Sequence, residues 1–151
     1  MIIGIDASRA FFKNRTGIEE YSFQVLKYLR NKLRNSKVVL YLRPESLMPE
    51  KCGFRVPENW EIKIIRWPRV WTQAGLSLEL LFHPVDALFI PAHIVPFLYV
   101  KRSVVTIHGL EYEFIPESYS LFDRIYMRWS IKLSCRRAKK LSQFRKIPKM
   151  I

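Results

Sequence analysis

Short runs of apolar, often β-branched residues recur along the chain, and they constrain the fold more than any other feature. The clearest are residues 1–6, 37–42, 61–67, 86–90 and 103–107. Most of these runs are continuously apolar, which is typical of strands covered on both faces. Because amphipathic segments lie between several of them, the sequence predicts an α/β fold, a Rossmann-like parallel sheet with helices on both faces.

Three segments have the three- and four-residue spacing of helices. From Ile18 to Leu33 the spacing predicts an amphipathic helix with Thr16 as its N-cap and acidic residues in its first turn. Residues 71–82 form the second segment, and residues 122–140 form a third with one strongly basic side. Ligands of such sheets bind at the carboxyl ends of the strands, so candidate residues are those directly after each strand.

Composition narrows the class of protein. At 151 residues and 49% hydrophobic content the chain is long enough for one domain with a core. Its two cysteines, Cys52 and Cys135, lack the spacing of a zinc site or a disulfide framework. No apolar stretch is long enough to span a bilayer, and the first residues lack the basic region of a signal peptide. We therefore expect a cytoplasmic protein without a bound metal.

The positive charge is concentrated near the end of the sequence. The net charge is +13, and residues 121–151 contain ten Lys or Arg and one acid. Such a segment binds anionic lipid, nucleic acid or an acidic partner, or else forms a solvated helix face followed by a basic tail at 146–151. Its aromatic residues have helix-packing spacing and no nucleic-acid-binding motif occurs, so specific nucleic-acid binding is not expected. The alternative function is a basic module without catalysis that binds a peripheral membrane surface or nucleic acid.

The loop after the first strand contains Arg9, Arg15, Thr16 and Gly17 at the start of a helix. A glycine here lets backbone N–H groups approach a phosphate or sugar, and the helix dipole favours negative charge. The alternative is a helix-entry turn that needs a small residue. No GxGxxG or Walker pattern occurs, so a nicotinamide dehydrogenase is not supported.

Two histidines follow strands at the same edge of the predicted sheet. His93 comes after the run 86–90, and His108 comes after the run 103–107. His108 is the stronger candidate because Gly109 leaves room beside it, and the nearby acids Glu111 and Glu113 would orient an imidazole. A structural role is the alternative for either histidine.

Six segments, taken in order, resemble the N-terminal, acceptor-side domain of family 4 glycosyltransferases of the GT-B fold. They are residues 3–9, 16–21, 71–73, 86–93, 104–110 and 116–120. The resemblance extends over residues 1 to about 145. It implies retaining transfer of a hexose, commonly mannose or glucose, from a GDP- or UDP-linked sugar to a glycan or lipid-linked acceptor, with no further cofactor. A lipid-linked acceptor would bring the protein to the inner face of the membrane.

The resemblance also implies roles for individual residues. His108 matches the catalytic histidine beside the transferred sugar, and Thr16 and Gly17 match the loop that faces the donor phosphates. The residues implied on the acceptor side are Arg9, Arg15, His93, Glu111 and Glu113.

The chain departs from the family pattern in three places. Many relatives have an aspartate where Gly109 stands. The donor-binding C-terminal domain has no counterpart here, so we expect the chain to be inactive by itself. Residues 138–146 suggest that a strand found in relatives is shortened or lost, as a truncated or frameshifted reading frame would produce.

Overall fold

A computed structural model describes residues 1–92, 94–109, 117, 119–137 and 140–143. The strands are β1 (Ile2–Asp6), β2 (Lys37–Leu42), β3 (Trp60–Ile64), β4 (Ala87–Ile90), β5 (Arg102–Ile107) and β6 (Lys140–Gln143). The helices are α1 (Gly17–Lys32), α2 (Ser77–Phe82) and α3 (Leu121–Arg137), with a 3-10 turn at Pro49–Cys52 and a π-helical turn at Thr72–Leu76.

The six strands form one sheet in the order β3-β2-β1-β4-β5-β6, and every neighbouring pair is parallel. The chain builds outward from β1 to β3, then returns to the other side of β1 for β4 and continues outward again. The order therefore reverses between β1 and β4. This architecture confirms the predicted Rossmann-like α/β fold.

Alternate residues of β2 show how helices cover both faces of the sheet. Leu40 packs in a cluster with Phe23 and Leu26 of α1, whereas Tyr41 packs in a second cluster with Leu80 of α2. Because successive side chains of a strand point to opposite faces, the two clusters are separate layers on either side of the sheet. The near-continuous apolar sequence of β2 reflects this burial on both sides.

Three elements differ clearly from their predicted extent. The helix predicted at 122–140 ends at Arg137, and Lys140 begins β6. The strand predicted at 61–67 ends at Ile64, because its pairing partner β2 ends at Leu42. The helix predicted at 71–82 opens with the π-helical turn at Thr72–Leu76. In that turn a Cβ on Gly75 would lie 2.7 Å from the Cβ of Trp67, so only glycine fits this close approach.

The end of the described chain narrows one expectation. The strand predicted to be shortened or lost is not lost: it is present as the four-residue β6, which pairs with β5 from Val104–Lys140 to Ile107–Gln143. Its hydrogen bonds extend the sheet by one strand after α3. The predicted basic tail at 146–151 lies outside the described residues.

The loop from β1 to α1 is polar in most of its sequence, yet part of it lies in the core. Ala10 and Phe11 are completely buried. The Phe11 ring makes edge contacts with Phe23 of α1 and with Phe54, at centroid distances of 6.2 and 5.5 Å. Packing of this loop therefore sets the position at which α1 begins.

Candidate functional site

A cleft of about 930 Å³ opens at the carboxyl ends of the strands. Residues after β1, β2, β3 and β5 line it together with α3, including Arg9, Arg43, Arg69, Trp71, Gly109 and Tyr126. A smaller cavity of about 170 Å³ adjoins it and reaches Asp6, Ser8 and Ala92. The two cavities share Arg9, Ile18 and Arg43 among others, so they form one continuous site. The site lies where the strand order reverses, which is the usual ligand position in open α/β sheets.

Asp6 ends β1 at the floor of the smaller cavity. Its carboxylate accepts a hydrogen bond from the Ser8 backbone N–H at 3.0 Å, and the side chain is buried. Burial raises the pKa of Asp6, and the Ser8 hydrogen bonds and the nearby Arg43 and Arg9 only partly oppose that rise. The folded protein therefore holds a proton on Asp6 more tightly than the unfolded chain does.

The raised pKa predicts how Asp6→Asn changes stability with pH. A carboxyl with a raised folded-state pKa contributes stability below its unfolded pKa, roughly 3.9, and loses that contribution as the pH rises through the folded-state pKa. Asparagine keeps an oxygen for the Ser8 N–H and does not ionise. We expect the stability of Asp6→Asn relative to the parent protein to increase as the pH rises above about 4.

Urea unfolding at several pH values measures this difference. Glu45→Gln is the matched control, because the Glu45 side chain is exposed. If the stability of Asp6→Asn relative to the parent protein falls as the pH rises, folding does not raise the pKa of Asp6.

Thr16 is the N-cap of α1, as predicted. The Glu19 carboxylate accepts the Thr16 backbone N–H at 3.2 Å and contacts the Thr16 hydroxyl, forming a capping box. Glu19 also pairs with Arg9, at 3.4 Å. Thr16 and Arg9 are thus connected through one acid at the entrance of α1, and Arg9 lines both cavities.

Gly17 begins α1 beside open space. A Cβ at this position would meet no heavy atom within 4 Å, so the fold itself does not require glycine. We expect Gly17→Ala to leave the free energy of unfolding unchanged, or to raise it by up to about 1 kcal/mol through helix propensity. Any ligand that touches the backbone N–H groups here would nevertheless lose affinity.

Thermal unfolding and ligand titration of Gly17→Ala test these two effects separately. Gly75→Ala provides the contrast, since its added methyl clashes with Trp67 and is expected to destabilise by about 1–3 kcal/mol. Equal destabilisation by the two substitutions would show that the space beside Gly17 is not open.

Arg15 lies close to the same helix start but outside the cleft lining. Its Nε donates to Glu20 at 2.7 Å, its Nη1 donates to the Phe12 carbonyl at 3.4 Å, and its guanidinium lies 4.0 Å from the centre of the Phe23 ring. These contacts hold it against α1. The structure therefore places Arg9 in the site and packs Arg15 beside the helix.

His108 follows β5 and contacts the first residue after β4, but it is not in the lining of either cavity. Its Nε2 is 2.5 Å from the Pro91 carbonyl oxygen, and its ring meets the Tyr21 ring edge-on at 4.7 Å. Because a carbonyl only accepts, Nε2 carries the hydrogen in this contact. Gly109 lines the cleft directly. The predicted site residues His93, Glu111 and Glu113 lie outside the described residues.

Arg43 and Arg69 line the cleft, although neither was predicted as a site residue. Arg43 directly follows β2, so the same position rule that selected the other candidates would have identified it. Its guanidinium lies 5.2 Å from the ring centre of Trp71, whose indole N–H donates to the Ile65 carbonyl at 3.0 Å. The Trp71 indole is therefore held in place beneath the arginine.

The loop after β4 is fixed from two sides. Gln73 donates to the Val95 carbonyl at 3.1 Å and accepts the Phe97 N–H at 2.8 Å. On the other side, the Ser134 hydroxyl of α3 accepts the Val95 N–H at 2.8 Å and donates to the Ser130 carbonyl. In the sequence, Gln73 stands out only as part of the segment 71–73 of the family resemblance. These bonds give the cleft a preorganised wall.

No protein-family model, curated protein or solved structure matches the chain. Among the described residues, no group of three or more His, Cys, Asp or Glu is arranged to hold a metal ion. The fold and the cleft define the class of protein: a Rossmann-like α/β domain with an open cleft at its topological switch point, the position where ligands of such sheets bind.

Proposed function

We propose that the chain is the acceptor-side half of a retaining glycosyltransferase, which transfers a hexose such as mannose from a GDP- or UDP-linked sugar. One observation carries the proposal: each of the six segments that resemble family 4 glycosyltransferases contributes a residue to the same cleft. These residues are Arg9, Ile18, Trp71, Ala92, Gly109 and Tyr119. Segments far apart in the sequence thus converge on one site, as expected if the resemblance reflects a shared binding function.

The chemistry of the proposed transfer divides between two domains. A donor-binding domain would hold the nucleotide-sugar, and this chain would hold the acceptor and complete the environment of the transferred sugar. Hydrogen-bond donors and cations near the departing nucleotide diphosphate and the oxocarbenium-like sugar stabilise the transition state. His108 and the start of α1 at Gly17 are the groups of this chain assigned to that task.

Titration calorimetry with UDP-glucose and GDP-mannose, followed by a transfer assay, tests the proposal. The full chain is measured alone and after mixing with the C-terminal domain of a family 4 glycosyltransferase, with octyl glycosides as acceptors. We expect tight nucleotide-sugar binding and sugar transfer only in the mixture. Tight nucleotide-sugar binding by the chain alone would contradict it, as would failure to bind every sugar acceptor tested.

A second candidate function, docking on an anionic membrane surface, is favoured by one side of α3. Leu121, Phe122, Ile125 and Trp129 are exposed there at 74, 69, 67 and 49%. Their spacing places them on one helix side. Phe97 extends this surface by stacking on Trp129 at 6.1 Å. An exposed apolar stripe of this kind is typical of an interaction surface.

Basic residues on α3 favour lipid as the occupant of that surface. Arg128, Lys132 and Arg136 are exposed on the same helix. Apolar residues flanked by cations are typical of helices that lie in the interface of anionic bilayers. Within the described chain, no helix is both long and apolar enough to cross a membrane. Phe122 also lines the cleft, so docking by α3 would bring the cleft close to lipid-linked acceptors.

Vesicle flotation distinguishes this candidate from a nucleic-acid-binding module. We expect binding to phosphatidylglycerol vesicles and not to phosphatidylcholine vesicles, with loss at high salt. Phe122→Ser combined with Ile125→Ser should abolish flotation, whereas Phe82→Ser, at an equally exposed position on α2, should not. Equal effects of the two variants, or tighter binding to RNA than to vesicles, would exclude membrane docking by α3.

A further inference from the structure

Cations outnumber acids in the larger cavity of the cleft. Arg9, Arg43 and Arg69 line it, and Asp123 is the one acidic residue among its described lining. The Asp123 carboxylate already accepts the Ser120 hydroxyl at 2.6 Å. In the adjoining smaller cavity, Asp6 and Glu19 lie with Arg9 and Arg43. The excess of positive charge is therefore on the outer side of the site, where Arg69 lies.

Arg69 has no opposite charge beside it among the described residues, and Arg43 has two acids nearby, Asp6 and Glu45. Arg43 lies 3.7 Å from Glu45, an exposed acid, and its buried Nε has no hydrogen-bond partner among the described residues. Arg69 is exposed and makes no ion pair in the part of the chain that the structure describes. Because Nε is buried from solvent, a ligand in the cleft would accept from the other N–H groups of the Arg43 guanidinium and from Arg69.

The shape of this region suits an arginine-bound anion. Arg43 lies over the Trp71 ring, and the Trp71 indole is held by its hydrogen bond to the Ile65 carbonyl. A guanidinium held against an aromatic ring presents its N–H groups in a fixed fork, which matches the oxygens of a phosphate. Apolar side chains continue the wall beside the arginines, among them Val70, Phe122 and Met127.

We infer that the cleft binds a phosphorylated amphiphile, with Arg43 and Arg69 on the phosphate and the neighbouring apolar wall against the attached hydrocarbon. The claim that this amphiphile is the acceptor of sugar transfer rests on the proposed function. The claim that the cleft binds it depends only on the side chains of the cleft. A phosphate with a short alkyl chain is therefore a sufficient probe.

Titration of the full chain with octyl phosphate tests the inference. Octyl glucoside has the same alkyl chain without the charge, and inorganic phosphate has the charge without the chain. We expect octyl phosphate to bind about ten-fold or more tightly than either, since both the ionic and the apolar contacts contribute. Equal binding of inorganic phosphate and octyl phosphate would reject the amphiphile and leave a free-phosphate site.

Substitutions locate the site. Arg43→Gln and Arg69→Gln should each weaken octyl phosphate binding by about ten-fold. Arg55→Gln is the matched control, because Arg55 is exposed and lines a separate surface depression. Because Arg69 is itself exposed, its replacement keeps the test valid even if Arg43→Gln fails to fold.

Two outcomes overturn the inference. One is octyl glucoside binding as tightly as octyl phosphate, and the other is Arg55→Gln weakening binding as much as Arg69→Gln does. The result is separable from the transferase proposal: octyl phosphate binding without sugar transfer by the reconstituted protein would retain the site and reject the activity.

Discussion

Replacing Phe11 by alanine is expected to lower the free energy of unfolding by about 3–5 kcal/mol. The Phe11 side chain is completely buried and meets two aromatic rings edge-on, those of Phe23 and Phe54. Phe54 in turn lies 6.3 Å from the ring of Trp60 in β3. The substitution would leave a cavity among rings that belong to α1, the sheet edge and the loop between them, so little of the space can close.

Urea unfolding of Phe11→Ala measures this loss directly. Phe82→Ala is the control, since Phe82 is 73% exposed and its replacement should change stability by no more than about 0.5 kcal/mol. Similar losses for the two variants would show that the loop after β1 does not pack as described. Because Arg9 and Gly17 lie on either side of Phe11 in the sequence, a smaller loss than expected would also weaken the case for a preorganised cleft.

His108→Ala is expected to reduce the rate of sugar transfer by about 10²-fold in the protein reconstituted with a donor-binding domain. That magnitude is typical for removal of one preorganised hydrogen-bonding group from a transition-state site. His108 has the required rigidity: its Nε2 donates to the Pro91 carbonyl and its ring packs against Tyr21, so Nδ1 is the ring nitrogen left to contact the sugar. This expectation rests on the proposed function.

His83→Ala is the matched control for that measurement. His83 follows α2, is exposed and pairs with Glu79, and neither of its sequence neighbours lines the cleft, whereas Gly109 beside His108 does. Its replacement should leave the transfer rate unchanged. His108→Ala also removes a packing contact, so thermal unfolding is measured in parallel and rates are compared where both variants are folded. Unchanged transfer by His108→Ala would reject the catalytic role, whatever its effect on stability.

The position of the candidate site was predictable from the sequence, but its composition was only partly so. Arg9 and Arg15 are both predicted from the loop between β1 and α1, and Arg9 lines the cleft. The contacts of Arg15 with Glu20 and Phe23 hold it outside the lining. Side chains a few positions apart in one loop point in different directions. The local sequence does not determine those directions.

Several features follow from the sequence alone because they depend on interactions between near neighbours. The apolar run of β2 reflects the alternation of side chains across a strand, and the spacing in α1 reflects the helical turn. The Thr16–Glu19 capping box spans one turn, so its partners are visible in the sequence. These local rules were sufficient for the fold class.

Only the tertiary structure decided which distant residues meet. Arg43 and Arg69 share a cleft because β2 and β3 are paired, and β3 ends at Ile64 because its partner ends at Leu42. Phe11 is buried because rings from α1 and from the chain before β3 surround it. The physical reason is the same in each case: strand pairing and core packing depend on contacts between residues far apart in the chain, whereas periodicity records only the local backbone.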